Sequence, residues 1–457
     1  MPTLAIEIND SGLVVADAET VLAVEPGYAL VDGGKITTGA AAFGQARLKP
    51  RRISNRFWAN LSVAPDTAGV PGAGSAAELA FAQLRDLWAR VRDGAGAADV
   101  VFVVPGHYTR EQLGVLLGLA EECRMRVKAL VDAAVAASAR PYPGRQLLYV
   151  DASLHRVSVT PLDQADEAVA LNERGLDSGR AEILDSIARW LAEIFVLTTR
   201  FDPFHHAEAE QRLYDSLPDW LSRFSAAESA EVVVPHRNEE FRVTVEREQL
   251  LGVLSGFHRA LVQLIAQVRE PDAGVVVQIS ERLADLPGLA SHLSRLDGSR
   301  IVRLPAGHAA RAVLKGIDEL ESGGAVRLLK HLPWREAPAE ADDTAEAMPA
   351  EEPRDDAMPT HVVYRGIAYP LSSAGLLIGR GEQEGRRTII VEGEHGGVSR
   401  SHCELALRDG ELKLRDLSRH GTFVNERRVL AETVLKPGDM IRIGSPGAEL
   451  QIIRVES

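Results

Sequence analysis

Residues 336–359 divide this chain, because no apolar period survives in them. From Glu336 to Asp356 the run Glu-Ala-Pro-Ala-Glu-Ala-Asp-Asp-Thr-Ala-Glu-Ala-Met-Pro-Ala-Glu-Glu-Pro-Arg-Asp-Asp holds nine acids and one base. So little apolar surface does not offset the entropy of ordering the segment, and a solvated linker is predicted there. Two folded parts follow from the break, residues 1–335 and residues 360–457. A length of 457 residues also asks for more than one core.

Charge is distributed unevenly across that division. The whole chain carries −14, which disfavours nucleic acid and anionic membrane surfaces as partners. Residues 360–457 hold 14 bases against 13 acids, so an anion site is expected in the C-terminal part if anywhere. Cys123 and Cys403 are the only cysteines and lie far apart, which excludes a thiolate metal site or a disulfide framework. No leader-like apolar stretch opens the sequence and no run of about 18 apolar residues occurs, so a reducing, cytoplasmic setting is expected.

Residues 1–335 mix strand and helix periods. Val100–Pro105 reads as a buried strand, Arg110–Cys123 as an amphipathic helix and Val127–Val131 as a second strand, a β-α-β unit. Leu147–Asp151 and Val157–Thr160 read as a hairpin and Gly274–Ile279 as another buried strand. Ser178–Leu197, Glu248–Arg269 and Ala309–Leu320 have helical spacing. An α/β region of more than one layer is predicted. Residues 360–457 change to short strands (His361–Tyr364, Leu376–Ile378, Thr388–Val391, His402–Leu407, Glu411–Asp416, Thr422–Val424, Met440–Ile443 and Glu449–Val455) set apart by turn signals such as Lys436-Pro-Gly-Asp. That pattern predicts a β-sandwich. No internal repeat links the halves.

Four motifs follow one another in the C-terminal part: Gly379-Arg380, Val398-Ser-Arg-Ser-His402, Asp416-Leu-Ser-Arg-His-Gly-Thr-Phe-Val-Asn425, and Leu435-Lys-Pro-Gly-Asp-Met-Ile-Arg-Ile-Gly444. Together they resemble the forkhead-associated (FHA) domain over essentially all of residues 360–457. The resemblance implies an all-β sandwich whose loops bind a phosphothreonine-containing protein, and hence a Ser/Thr protein kinase upstream. A phosphate monoester with about −1.5 to −2 charge needs guanidinium, hydroxyl and backbone N–H donors, and Arg380, Ser399 and Arg400 supply the first two. By resemblance Arg419 is a further phosphate contact, while Gly379, His402, Gly421, Thr422 and Asn425 match structural positions. His420 departs from the family's asparagine before Gly-Thr. An imidazole does not make a bidentate amide contact, so altered peptide selection is expected.

Residues 99–139, with Val101-Phe-Val-Val-Pro-Gly-His-Tyr-Thr-Arg and Val127-Lys-Ala-Leu-Val-Asp-Ala-Ala-Val-Ala-Ala-Ser-Ala, resemble the nucleotide-binding domain of 70-kilodalton heat-shock chaperones, of the actin-like ATPase superfamily. Leu148–Asp151, Asn172–Asp177 and Pro305–Gly316 extend the resemblance across most of residues 1–335, which implies a two-lobed α/β fold. The glycines with which that family approaches phosphates are replaced: Glu7-Ile-Asn-Asp-Ser, Asp151-Ala-Ser-Leu-His-Arg and Gln278-Ile-Ser-Glu stand in their places. Each added Cβ occupies space a triphosphate would need. A degenerate domain without catalytic residues is therefore expected, with a vestigial nucleotide site at Glu7, Asp10, Ser11 and Asp151. No metal or other cofactor is expected, ATP with Mg²⁺ being the one left open by Asp10, Ser11 and Asp151. Asp202, His205, His206, Glu208 and Glu210 lack a third fixed ligand and read as a helix start rather than a metal site. The expected function is a phosphothreonine-dependent adaptor on a pseudo-ATPase platform. The alternative is an active chaperone-like ATPase that its FHA domain localises to phosphorylated partners. Thr344, in the acidic segment, is a candidate for phosphorylation.

Overall fold

The structure is a computed structural model that describes residues 3–454, apart from 66–69, 96–97, 271–272, 297, 317–325, 340–357, 365–366, 373, 382, 384–385, 392–396, 409–410, 426 and 445–447. The chain forms two compact units, Met1–Glu351 and Glu352–Ser457. Of the expected linker, residues 340–357 and thus Thr344 lie outside the described residues. Its first residues belong to the N-terminal unit instead: the backbone N–H of Glu336 donates to Ala139 O (3.0 Å), that of Ala339 to Pro141 O (3.0 Å), and Arg140 pairs with the Glu336 carboxylate at 2.7 Å. Composition alone missed this because one arginine partner suffices to hold an acidic residue at the surface of a core.

In the N-terminal unit two sheets share one plan. In the first, the antiparallel strands Thr3–Glu7, Leu13–Ala16 and Val21–Glu25 are joined on the other side of Thr3–Glu7 by the parallel strands Asp99–Val104, Arg126–Asp132 and Leu328–Leu329. In the second, the antiparallel strands Arg145–Ala152, Val157–Asp163 and Glu167–Ala170 are followed beside Arg145–Ala152 by the parallel strands Gly274–Ile279 and Ser299–Arg303. The strand His331–Pro333 closes its far edge. No sequence repeat announces this duplication, since a strand order constrains burial and not residue identity. Val100 to Val104 is buried throughout, as parallel strands covered on both faces are.

One core joins the two sheets. Ala5, Val101, Val131, Leu147, Val276 and Val302 pack with the short helices Ala133–Ala137 and His308–Leu314. The small alanines let those helices approach both sheets. Outer cores lie under helix Arg110–Glu122, capped by Thr109 in a capping box with Gln112, and under helices Arg180–Thr199 and Arg247–Val268. By length and composition Arg247–Val268 would reach across a bilayer, yet its Leu250, Leu254, Leu261, Leu264 and Ile265 fill the second outer core. Helices Ala76–Ala95 and Ala207–Ala226, and the hairpin of Ser229–His236 with Glu239–Glu246, add to the predicted elements. The expected helix from Ala309 begins at His308 and ends at Leu314, and residues 317–320 lie outside the described residues.

The C-terminal unit is a sandwich of a six-stranded and a five-stranded sheet. The first orders Ile367–Pro370, His361–Tyr364, Ala448–Ile453, Met440–Ile443, Thr422–Val424 and Arg427–Arg428. The second orders Thr388–Ile390, Leu376–Gly379, Cys403–Arg408, Glu411–Asp416 and Glu432–Leu435. Alternating inward residues (Leu376 and Ile378, Cys403 and Leu405, Leu412 and Leu414, Ile441 and Ile443, Leu450 and Ile452) form its core. The strands Ile367–Pro370, Arg427–Arg428 and Glu432–Leu435, of two to four residues, were too short to show a period.

Candidate functional site

Gly379, Ser399 and Gly421 meet at one end of the sandwich. Strand Leu376–Gly379 ends beside the loop 397–402: Arg380 N–H donates to Ser399 O (3.1 Å), Gly381 N–H to Arg400 O (3.1 Å) and His402 N–H to Ile378 O (2.7 Å). The approach is so close that a Cβ on Gly379 would lie 2.1 Å from Arg400 O. Only glycine fits there.

His402 ties this loop to the next. Its ring is fully buried; Nδ1 accepts the Ser399 N–H (3.0 Å), so Nε2 carries the proton and donates to Gly421 O (3.2 Å). Burial lowers its pKa, which suits the neutral form that this pairing needs. The turn 416–422 is built on Asp416, which accepts from Ser418 N–H (2.9 Å) and from the Thr422 hydroxyl (2.8 Å). Although burial opposes it, those donors hold the Asp416 carboxyl below its ordinary range. Ser418 Oγ accepts the Gly421 N–H (2.7 Å), and Ser399 Oγ accepts the Arg419 N–H (3.4 Å). Gly421 has φ +95°, a conformation that other residues rarely adopt.

Arg380, Arg400, Arg419 and His420 are all exposed on these joined loops, and Ser399 is half-buried between them. Among the described residues no carboxylate lies within ion-pair distance of Arg380, Arg400 or Arg419. Such uncommitted guanidinium groups around a hydroxyl can hold a phosphate dianion by charge-assisted hydrogen bonds. The His420 ring borders Gly397, whose added Cβ would stand 3.5 Å from it. Asn425 lies apart from this cluster in function: at φ 47° its amide donates to Asp439 Oδ1 (2.8 Å) and accepts from Met440 N–H (3.0 Å), fixing a neighbouring hairpin. Ser418 and Asp416 were not singled out from sequence, though an Asp-x-Ser before Gly-Thr is a turn signal.

The residues expected to form a vestigial nucleotide site in the N-terminal unit also lie close together, with an addition. Glu7 and Asp151, near the carboxyl ends of their strands, meet Arg282 of the short helix Glu281–Ala284 that follows strand Gly274–Ile279: Arg282 Nη1 lies 2.8 Å from Glu7 Oε1 and 3.3 Å from Asp151 Oδ1, and Nη2 donates to Gly12 O (3.3 Å). Arg282 is only 6% exposed and Glu7 2%. Burial pushes the Glu7 carboxyl up to about 7 against the pull of Arg282. For Arg282, burial works downward, and Glu7, Asp151 and Glu281 more than offset it. Asn9, at an expected glycine position, donates its amide to Asp151 Oδ2 (3.0 Å) and Ala152 O (3.2 Å). Asp10 accepts from Leu154 N–H (2.6 Å), its carboxyl raised by burial in spite of that bond, and Ser11 Oγ donates to Ala152 O (3.3 Å). Arg282 lies one residue beyond the stretch Gln278-Ile-Ser-Glu, and no sequence signal marks it.

Beside this cluster Asn9, His107, Asp132, Asp151, Arg156 and Glu173 line a cavity of about 30 Å³, room for a water or two. His107 and Arg156 both reach Glu173 (3.1 and 3.2 Å). Elsewhere His206 stacks on His236 from the added hairpin at 4.3 Å, and His205 pairs with Asp202 at 3.4 Å.

Residues 376–444 match the family model of the FHA domain. The matched segment contains every residue named above for the candidate phosphate site and its supporting turns. It lies wholly in the C-terminal unit and bears on nothing in residues 1–335. Comparison of the chain with curated proteins gives no match.

Proposed function

We propose that this protein is a phosphothreonine-reading adaptor. An FHA domain implies phosphothreonine-dependent protein interaction, and one observation carries that reading to particular residues. Arg380, Ser399, Arg400 and Arg419 sit on three loops cross-linked by backbone bonds and by His402, with the guanidinium groups uncommitted among the described residues. A Ser/Thr kinase acting on the partner would supply the ligand. Two buried free thiols, Cys123 and Cys403, suit a reducing compartment.

For the N-terminal unit we infer a platform of the actin-like ATPase type that does not turn over nucleotide. The repeated strand order of its two sheets supports the fold. The fit of Mg²⁺ with ATP is poor, because the carboxylates that would face the metal already hold Arg282 and Asn9. A second cation there would meet a buried guanidinium. No catalytic step is assigned to it.

Titration of the intact protein with a phosphothreonine peptide and its unphosphorylated twin tests the first reading. Charge-assisted hydrogen bonds contribute roughly 1.5–3 kcal/mol each, so Arg380→Ala should weaken binding at least tenfold. Equal affinity for the two peptides refutes it. Steady Mg²⁺-dependent ATP hydrolysis, lost in Asp151→Ala, would refute the second.

A further inference from the structure

The five-stranded sheet of the C-terminal unit ends on strand Glu432–Leu435, which pairs with Glu411–Asp416 on one side only. The Asp416 N–H donates to Ala431 O (2.9 Å), and that bond continues the ladder in which Leu414 faces Thr433 and Leu412 faces Leu435. Hydrogen-bonded pairs alternate with unbonded ones along an antiparallel ladder. The N–H and C=O groups of Thr433 and Leu435 therefore turn into the sheet, while those of Glu432 and Val434 turn outward from its edge. Among the described residues no hydrogen bond reaches these outward groups.

An open edge is a template for another strand, and proteins blunt such edges with prolines, charges or short strands. The other edges of this sandwich are blunted in that way. Ile367–Pro370 ends on proline, Arg427–Arg428 is two arginines long, and Thr388–Ile390 has three residues directly after Arg386 and Arg387. Glu432–Leu435 has no such device. Its outward Val434 is 44% exposed, and Leu417 and Leu430, next to the bonded residues Asp416 and Ala431, are 41% and 95% exposed. The edge is also complementary to itself in charge. Antiparallel pairing of two copies about a twofold axis at Val434 sets valine against valine and places Glu432 of each copy opposite Lys436 of the other. An axis at Glu432 would instead bring two carboxylates together. Lys436 is fixed at the strand end by its N–H, which donates to Asp439 Oδ2 (2.7 Å). Arg415 stands across from Glu432 within the sheet and forms no ion pair with it, which leaves the acid open to a lysine from outside.

We propose that strand Glu432–Leu435 is a docking edge for a second copy of this chain, through which two five-stranded sheets join into one. A contact of a few residues a side is small beside the ~20–30 of a standard interface, so the dimer should dissociate on dilution through the micromolar range. The proposal goes beyond the phosphothreonine reading and does not rest on it. Where both hold, the dimer presents two phosphate sites and gains avidity for a partner phosphorylated twice.

Sedimentation equilibrium of the intact, unphosphorylated protein over the micromolar range tests it, without peptide. The wild type should pass from monomer to dimer as concentration rises. Val434→Lys puts a charge on the open edge and should weaken dimerisation at least tenfold. Glu432→Lys and Lys436→Glu should each do the same, because like charges then face one another across the axis. Mixed in equal amounts, those two variants should recover a heterodimer of near wild-type affinity, which a merely structural role for either residue would not give. Protection of the buried Cys403 from thiol reagents checks that each variant is folded; should one be unprotected, Val434→Arg or Lys436→Asp replaces it. A wild type that stays monomeric throughout, a dimer indifferent to the three substitutions, or a mixture that recovers nothing overturns the proposal. Peptide binding is measured apart from this, so the phosphothreonine reading stands or falls separately.

Discussion

Replacing Gly379 by alanine should damage both the stability of the C-terminal unit and its grip on phosphate. The new Cβ would lie 2.1 Å from Arg400 O, 2.7 Å from Arg400 C and 2.9 Å from Ser399 O, all backbone atoms with no rotamer to escape into. Real Cβ atoms stay at least 3.0 Å away, so strand end and loop must part by about 0.9 Å. Two hydrogen bonds now at 3.1 Å, Arg380 N–H to Ser399 O and Gly381 N–H to Arg400 O, are then stretched out of range. At roughly 1 kcal/mol each, plus ~1–3 kcal/mol for overpacking, the loss is about 3–5 kcal/mol. With a urea slope of ~1–3 kcal/mol/M the midpoint should drop by about 1–5 M. Phosphopeptide affinity should fall more than tenfold, because Ser399 and Arg400 move together. Cys403, fully buried in the sandwich, reports opening of this unit by pulsed thiol labelling in urea, and Cys123 reports the other. All five tryptophans (Trp58, Trp88, Trp190, Trp220, Trp334) precede residue 336, so their fluorescence should be unchanged. Gly381→Ala is the control, since its Cβ would stand 3.3 Å from the Arg400 Cβ and 3.7 Å from its Cα, without the overlap met at Gly379. Wild-type Cys403 protection and affinity in Gly379→Ala, or equal damage in Gly381→Ala, would refute the close-approach argument.

Arg282→Ala should destabilise the N-terminal unit by about 3–5 kcal/mol, as it leaves Glu7 and Asp151 buried without their cation; tryptophan fluorescence in urea measures it, and an unshifted midpoint contradicts the ion cluster. Burial lifts the Asp132 carboxyl from 3.8 to about 6, so the folded state holds that proton more tightly than the unfolded chain does. Its contribution is fully present below pH 3.8 and lost as pH rises through 6. Asp132→Asn keeps the acceptor for the Ala134 N–H (2.9 Å) and should stabilise the protein by up to about 3 kcal/mol at pH 7.5, with little gain at pH 4. A gain independent of pH would show that the carboxyl is not strained by burial.

Much of the candidate phosphate site was legible in the sequence because its elements are local. Gly379-Arg380, Ser399-Arg400 and Arg419-His420-Gly421-Thr422 are short runs in which turn residues and charged groups are neighbours along the chain. Strands such as His361–Tyr364, Glu411–Asp416 and Met440–Ile443 were equally readable, since alternation of period two needs only four to six residues. The break in the chain was read from composition, but its start was misplaced: Arg140, 196 residues before Glu336, holds that acid on the core.

Groups brought together over long separations were decided by tertiary structure alone. Arg282 finds Glu7 and Asp151 because two strand ends and the short helix Glu281–Ala284, from distant parts of the chain, meet in one unit, and nothing near any of them in sequence encodes the encounter. Glu432 and Val434 take meaning only from a sheet order that leaves their strand at the edge. The duplicated strand order is invisible for the same reason, since pairing is set by burial and register over the whole sheet, which many sequences satisfy. Sequence by itself thus offered candidate residues for an anion and a division of the chain, the start of which the structure moves. Three-dimensional packing decided which charges are already spent on one another and which remain free for a ligand, because a charge is satisfied by what lies within a few ångströms of it in space and not along the chain.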